Sequence, residues 1–287
     1  MATVDYDRLS KRVAIPASHY DAEALAAIYN ETRIDYIVPM PMNARRMLDY
    51  ITNYDIQLES SIVALNDSGV EAGIGMLGLR EKRAWITRLG VLPNNRGLHM
   101  GQFLMERLLD NATEHQAERA QLEVIVGNDP AHGLFTKLGF EEIRRLLIIR
   151  RPPSPIEANA DLDDADVTEI AIDDIPAVLA TREPDASWVE ETPSILNAGK
   201  LKGIAITLNS GEKGWAVYQS SPFQLSHFVL SPSSDEMIET LLYHIHKNHP
   251  MQDTKIENVP SDHPTWQIFQ KMGYIEVFSR LEMYLTL

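Results

Sequence analysis

With 287 residues, 44% of them apolar and 23% charged, the chain has the make-up of a soluble globular protein long enough for two medium domains rather than one. Its net charge of −15, from 26 basic and 41 acidic residues, excludes a general nucleic-acid backbone binder, which needs a basic footprint. The lack of cysteine excludes disulfides, thiolate metal sites and a cysteine nucleophile.

The first 11 residues are polar and charged, unlike a signal peptide. No apolar run approaches the roughly 18 residues a membrane span requires. A cytoplasmic protein, monomer or homodimer, with no membrane or nucleic-acid partner is expected.

The first half reads helix, helix, then strands. Residues 20–32 are amphipathic, with Leu25, Ile28 and Tyr29 on one face. Residues 43–53 form a second helix. Apolar strands at 60–65 and 71–79 are joined by the turn Asp67-Ser68-Gly69, and Glu81-Lys82 closes a hairpin into a strand at 84–92. A helix over 101–119 carries Leu104, Leu108 and Ala112 on one face. A short buried strand at 122–126, a helix at 131–138 and a strand at 143–150 complete this half.

Arg151-Pro152-Pro153-Ser154-Pro155 is stiff and extended, and Asp161, Asp163, Asp164 and Asp166 follow it. The acidic run lacks the glycine and terminal glutamate of a calcium loop, so 151–166 reads as a solvated linker. Beyond it come helices at 173–181 and 193–198 and a hairpin of strands 203–208 and 215–219 around Asn209-Ser210-Gly211. Then follow a strand at 225–230, a helix at 235–246, a strand at 255–259, a helix at 265–272 and a strand at 277–285. The order strand–helix–strand–helix–strand thus appears twice. The fold class is α/β: two duplicated domains, 1–150 and 167–287, each a central mixed sheet flanked by helices.

Val91-Leu92-Pro93-Asn94-Asn95-Arg96-Gly97-Leu98-His99-Met100-Gly101 links a strand to a helix. A helix start offers unpaired N–H groups and the positive end of the helix dipole, which suits a phosphate or pyrophosphate. Gly97 and Gly101 permit close backbone approach and Arg96 adds a cation. A ligand-free strand–helix connector is the plainer alternative. There is no Gly-Lys-Ser/Thr and no Gly-x-Gly-x-x-Gly, so neither a P-loop nor a dinucleotide fingerprint is present.

On these residues the sequence resembles the GNAT N-acetyltransferase family. That family's acetyl-CoA motif runs Val-x-Pro, then Gln/Arg-x-x-Gly-x-Gly/Ala, matched here by Val91-Leu92-Pro93 and by Arg96 through Gly101. Its second motif, Asn-x-x-Ala-x-x-Leu-Tyr-x-x-x-Gly-Phe, is matched by Asn128, Ala131, Leu134, Phe135, Gly139 and Phe140. The resemblance covers about residues 20–150. It implies a sheet whose two central strands splay apart, with acetyl-CoA as acyl donor and no metal. The pantetheine arm would pair near Leu89 and Val91. Arg96, Gly97, Leu98, His99, Met100, Gly101 and Gln102 would wrap the pyrophosphate, and Asn128 would bond the arm beside Phe135.

Two departures stand out. His99 occupies the place of the motif's middle glycine. Phe135 replaces a tyrosine that in many members protonates the departing thiolate, and phenylalanine has no proton to give. Leu122-Glu123-Val124 resembles the strand of ribosomal-protein N-terminal acetyltransferases in which a glutamate is the base, which makes Glu123 the catalytic candidate. A water-facing carboxylate is the plainer alternative, and a relay from Thr87 or from the first helix pair is the fallback. The first two helices roof the acceptor site in this family, which implicates Asp35, Tyr36 and Thr87 in holding the amine, with Met40 and Met42 as an adaptable wall. Ordinary packing explains each of these equally well.

The second half resembles a degenerate copy. Asn258-Val259-Pro260 and Ile268 through Tyr274 echo the second motif, but Ser233-Ser234-Asp235-Glu236 replaces the arginine and glycines. Acidic residues at a helix start repel phosphate, so this domain is expected to bind CoA poorly or not at all. His244, His246 and His249 invite a metal site, but His244 and His246 share no helix face. The expected function is acetyl transfer from acetyl-CoA to the amine of a small molecule or peptide. A non-catalytic acyl-CoA-binding or regulatory protein is the rival, and a fold without CoA affinity the third possibility.

Overall fold

The computed structural model describes residues 12–182, 185–232 and 234–287. Residues 1–11, on which the reading of the amino terminus rests, and Ser233 lie outside the described residues. The chain forms two compact units, Met1–Ile143 with Glu282–Leu287, and Arg144–Leu281.

The first unit contains β1 (Val13–Pro16), α1 (Ala22–Glu31), α2 (Ala44–Asn53), β2 (Ile62–Leu65), β3 (Glu71–Arg80), β4 (Arg83–Val91), α3 (Met100–Glu114), β5 (Arg119–Ile125) and α4 (Asp129–Lys137). Helices α1 and α2 begin where Asp21 and Asn43 accept hydrogen bonds from Ala24 N and Arg46 N, each cap satisfying an otherwise orphaned donor. Strands β1 to β4 pair antiparallel in order, and β5 runs parallel to β4. Helix α3 packs on β3 and buries Phe103, Leu104, Met105, Leu108 and Ala112. Each such large side chain contributes about 1.5–3 kcal/mol of burial. The helix stops at Glu114, short of the expected 119, because Gln116 takes φ 58° and Arg119 pairs with Arg83 as strand.

The second unit contains most of β6 (Glu141–Arg151), then α5 (Ala160–Asp163), β7 (Asp166–Ile170), α6 (Ile175–Leu179), α7 (Thr192–Ala198), β8 (Leu201–Thr207), β9 (Lys213–Ser220), β10 (Gln224–Ser231), α8 (Asp235–Asn248), β11 (Asp253–Pro260), α9 (Trp266–Lys271) and the start of β12 (Ile275–Thr286). Its sheet runs β6-β11-β10-β9-β8-β7. Strands β10 and β11 are parallel, as β4 and β5 are in the first unit.

The division differs from one at 150. Strand β6 pairs with β11 through Ile149↔Ile256, and its Leu147 and Ile149 are buried in the second core. The end of β12 lies beside β5 instead, where Leu287 N donates to Glu118 O at 3.0 Å and the Arg119 guanidinium lies 4.4 Å from the Tyr284 ring. Arg144–Arg151 of β6 thus belongs to the second unit and the end of β12, from Glu282, to the first. Nor is 151–166 a bare linker. Ile156, Leu162 and Ala165 pack on the second core, Asn159 caps α5, and Asp163 pairs with Lys247. Two short strands at sheet edges, β1 and β7, add to those expected from the sequence.

The three C-terminal histidines of α8 have separate partners: His244 faces Leu162 O at 2.9 Å, His246 the Tyr274 hydroxyl at 2.9 Å and His249 the Tyr218 hydroxyl at 3.2 Å. Burial pushes the His246 imidazole down to about 3, with Arg151 and His249 acting in the same direction. An unfolded histidine titrates near ~6.5. Between these values the unfolded chain binds a proton that the folded chain does not, so stability is intact above about 6.5 and falls as pH drops, by about 1.4 kcal/mol per unit. Urea titrations at pH 6.5 and 5 are expected to show wild type losing about 2 kcal/mol from this group, and His246→Gln losing correspondingly less. Equal losses would remove His246 from the acid response.

Candidate active site

Strands β4 and β5 pair only from Arg83↔Arg119 to Trp85↔Gln121, then diverge. A cleft of about 780 Å³ opens in the gap, lined by Thr87, Leu89 and Val91 of β4, Leu122, Glu123 and Val124 of β5, and by Asn128, Phe135 and the loop before α3.

The wall on β4 is bulged. Ile74↔Gly90 and Met76↔Thr87 are in register with β3, so Arg88 and Leu89 together face the single residue Gly75, and Arg88 takes φ 51°. Such a bulge bends the strand and re-aims its side chains. The Arg88 guanidinium lies 4.0 Å from the Tyr50 ring centroid and donates to the Tyr29 hydroxyl at 3.0 Å. The Tyr50 hydroxyl is 2.6 Å from Thr87 Oγ1. Burial pushes the Tyr50 phenol up to about 12; Arg88 and Thr87 oppose the rise and the Glu123 charge adds to it. Glu123 is half-buried on the cleft wall. The sequence signal for Arg88 is weak, a second cation after Arg83 within the strand Arg83–Val91, and Tyr50 carries none.

At the end of β4 a turn (Pro93–Asn95) leads to Arg96, Gly97 and α3. Gly97 (φ 73°) and His99 (φ 60°) are both left-handed. A Cβ at Gly97 would meet nothing within 4 Å, so backbone conformation and not space favours glycine there. His99 holds the left-handed conformation a middle glycine would allow, and it lines the cleft. No side chain caps α3 and no acid stands in its first turn, so the dipole and first-turn N–H groups face the loop without a competing side-chain acceptor.

The other predicted residues divide. Gly101 and Gln102 line the cleft; Gln102 donates to Glu106 at 2.8 Å and accepts from Lys137 at 3.2 Å. Met100 is buried. The Leu98 side chain is half-exposed and does not line the cleft, leaving only its main chain in the loop. Phe135 is buried with its ring 6.1 Å from that of Phe140. Asn128 precedes α4 without capping it; its Nδ2 donates to the Tyr36 hydroxyl at 3.1 Å. Asp35, expected to face an amine, pairs with Arg96 through both oxygens at 2.5 and 2.8 Å. Hydrogen bonding from Arg96 lowers the Asp35 carboxyl despite an opposing effect of desolvation.

Residues 32–36 lie against the bulged strand. Gly90 leaves room for Thr32, since a Cβ there would sit 2.2 Å from Thr32 Oγ1. Arg33 stacks 3.9 Å over the Tyr36 ring and donates to Leu89 O at 2.8 Å.

The second unit fills the corresponding gap. Strands β10 and β11 pair only at Gln224↔Asp253 and Leu225↔Thr254, and β10 is bulged with His227 at φ 51°. The turn Trp188–Glu190 packs on both strands, with Trp188 fully buried and Ser187 bonded to Asn258 at 2.9 Å. Helix α8 is capped by Ser234 and carries Asp235 and Glu236 in its first turn. Both features oppose an anion at that helix start. Among the described residues, no cluster of three or more His, Asp or Glu could hold a metal, and no helix is long and apolar enough to cross a membrane.

The acetyltransferase (GNAT) family matches residues 25–140. Over 58 residues the chain is 38% identical to a candidate ribosomal protein bS18-alanine N-acetyltransferase of Bacillus subtilis (strain 168); the match takes in 20% of this chain and 38% of that protein's length. In fold, the chain resembles a GCN5-related N-acetyltransferase from Sphaerobacter thermophilus, at TM-score 0.71 and 14% identity over 96% of each chain. It also resembles a tandem GNAT protein from the clavulanic acid biosynthesis pathway, at TM-score 0.64 and 11% identity over 96% of this chain and 98% of that one.

Proposed function

Residues 25–140 match the acetyltransferase (GNAT) family, and from that premise we propose that the protein transfers an acetyl group from acetyl-CoA to a primary amine by direct attack in a ternary complex. The observation that carries this reading is the uncapped, acid-free start of α3, set at the end of a strand that has splayed from its neighbour. That combination suits a pyrophosphate at the helix and an extended arm in the gap.

In this reading Arg96 and the N–H groups of 97–102 hold the pyrophosphate, the main chain at Leu89 and Val91 pairs with the pantetheine arm, and Asn128 bonds it. Amides near Val91 polarise the thioester carbonyl. The amine nitrogen attacks the carbonyl carbon, its proton passes to Glu123 directly or through water, and the C–S electron pair leaves with the thiolate. Thr87, Tyr36 and Asp35 border the acceptor, a small-molecule or peptide amine. Phe135 supplies no proton, but thiolate is a tolerable leaving group because a thiol pKa lies near ~8.5. The second unit takes no CoA in this reading.

Thiol release from acetyl-CoA with a panel of amines tests the proposal, alongside calorimetry with acetyl-CoA. Binding without release above the buffer rate for any amine would favour a non-catalytic acyl-CoA-binding role, for which buried Phe135 is the specific support. Well-placed acids contribute about 10²–10⁴-fold, so Phe135→Tyr, an unoptimised graft, is expected to raise turnover by about tenfold. Unchanged or lower turnover with intact binding would mean that leaving-group protonation does not limit the rate.

A further inference from the structure

The side chains of residues 33, 35 and 36 each contact a group that acyl-CoA would need. Arg33 donates to the carbonyl of Leu89, on the free edge of β4. Asp35 holds the Arg96 guanidinium, which also donates to Thr32 O at 3.1 Å and to Val91 O at 3.2 Å. Tyr36 accepts from Asn128, on the opposite wall. The segment is thus bonded to both sides of the splay, with the stacked Arg33–Tyr36 pair between them.

We propose that residues 32–36 are a strap bonded across the acyl-CoA groove, so that the strap and acyl-CoA exclude each other and donor binding must open it. The proposal rests on the acyl-CoA reading above. Asp35 acts as an internal stand-in for phosphate: a carboxylate and a phosphate both take the arginine fork, and one guanidinium cannot satisfy both with the same N–H pair. The strap's anchors are half-exposed, with Arg96 and Asp35 side chains 39% and 59% accessible, so the latch is weak enough to yield. Opening also frees Asp35 from Arg96 and Tyr36 from Asn128.

Removing the latch should therefore tighten acyl-CoA binding, the reverse of what loss of a binding residue does. Calorimetry with acetyl-CoA and the full chain is expected to show Asp35→Ala binding about three- to fivefold tighter than wild type, in keeping with an exposed ion pair. Asp35→Ala combined with Tyr36→Phe should reach about tenfold, a second anchor being lost. Asp49→Ala, which breaks an exposed pair with Arg45 on α2, should leave binding unchanged. A second readout needs no variant. Trypsin must extract the Arg33 side chain from Leu89 to cut before Ile34, so saturating acetyl-CoA should speed cleavage at that bond. Equal or weaker binding in the Asp35 variants, or protection of Arg33 by acetyl-CoA, overturns the strap. Heat in the variants but not in wild type supports it. No heat in any of them would defeat the acyl-CoA reading itself, which keeps the two failures apart.

Discussion

Glu123→Gln is expected to lower kcat/KM for amine acetylation by about 10²- to 10³-fold, the range for losing one general base, while acetyl-CoA affinity stays within about twofold because the replacement keeps shape and polarity in the cleft. The other polar groups on the cleft wall are less suited to take the proton. Tyr50 and Thr87 are the hydroxyl pair on the β4 wall, and burial holds the Tyr50 phenol up at about 12, so it is protonated at neutral pH and cannot accept the amine proton. Asp35 is engaged with Arg96. Glu123 lines the cleft from β5, and its charge reaches the Tyr50 phenol. Raising the pH should recover part of the lost rate, since a larger fraction of the amine is then deprotonated in solution. A Glu123→Gln enzyme within about threefold of wild type at pH 7 would exclude general-base catalysis of the usual size and point to a water relay through Thr87.

Glu257→Leu is expected to destabilise the second unit by about 2–3 kcal/mol, less than the 3–5 typical of breaking a fully buried ion pair. The carboxylate is about a quarter exposed (26%), with Lys255 Nζ at 2.6 Å and Arg280 Nη1 at 3.0 Å. Burial pushes this carboxyl up, but Lys255 and Arg280 outweigh it, with a smaller contribution from His227, and it is held well below the usual carboxylate range. A depressed acid contributes stability that is complete above the unfolded value near ~4.3 and is lost as pH falls toward the folded one. Leucine would leave two cations without their anion. Urea unfolding at pH 7 should report the loss, and acetyl-CoA calorimetry at 25 °C should be unaffected because the substitution lies outside the first unit. A loss below about 0.5 kcal/mol, the range of ordinary surface substitutions, would mean that the cations find water instead.

Glu257 stands 134 positions after Glu123, the same interval that separates Gly273-Tyr274 from Gly139-Phe140. The two copies thus keep a glutamate at one place in the repeat. In the first it borders an open cleft, and in the second it is clamped by two cations while Trp188 fills the gap.

What could be read in the sequence was local. Helix α3, the loop before it and the second motif follow from spacing over a dozen residues, and the anion-repelling helix start of the second copy follows from Asp235 and Glu236 alone. The contacts that define the cleft are not local. Asp35 meets Arg96 across 61 residues, and Asn128 meets Tyr36 across 92. The bulge at Arg88 requires an arginine in a left-handed conformation, which β3 imposes and residue preference does not announce. The sequence does not say which unit receives 143–150, because that stretch reads as a strand in either sheet. Only burial of Leu147 and Ile149 in the second core decides between them.

The place of the last strands also orders the completion of the two units during synthesis. Glu282–Leu287 completes the first unit, although it is synthesised after all of Arg144–Leu281. A nascent chain therefore exposes the edge of β5 until the filled copy has been made, and the two copies mature together. Fusion of the repeats is thus not simply a pairing of two finished domains: a ribosome that stopped after the first repeat would release a unit lacking its flanking strand, with β6 seeking a partner that had not yet been made.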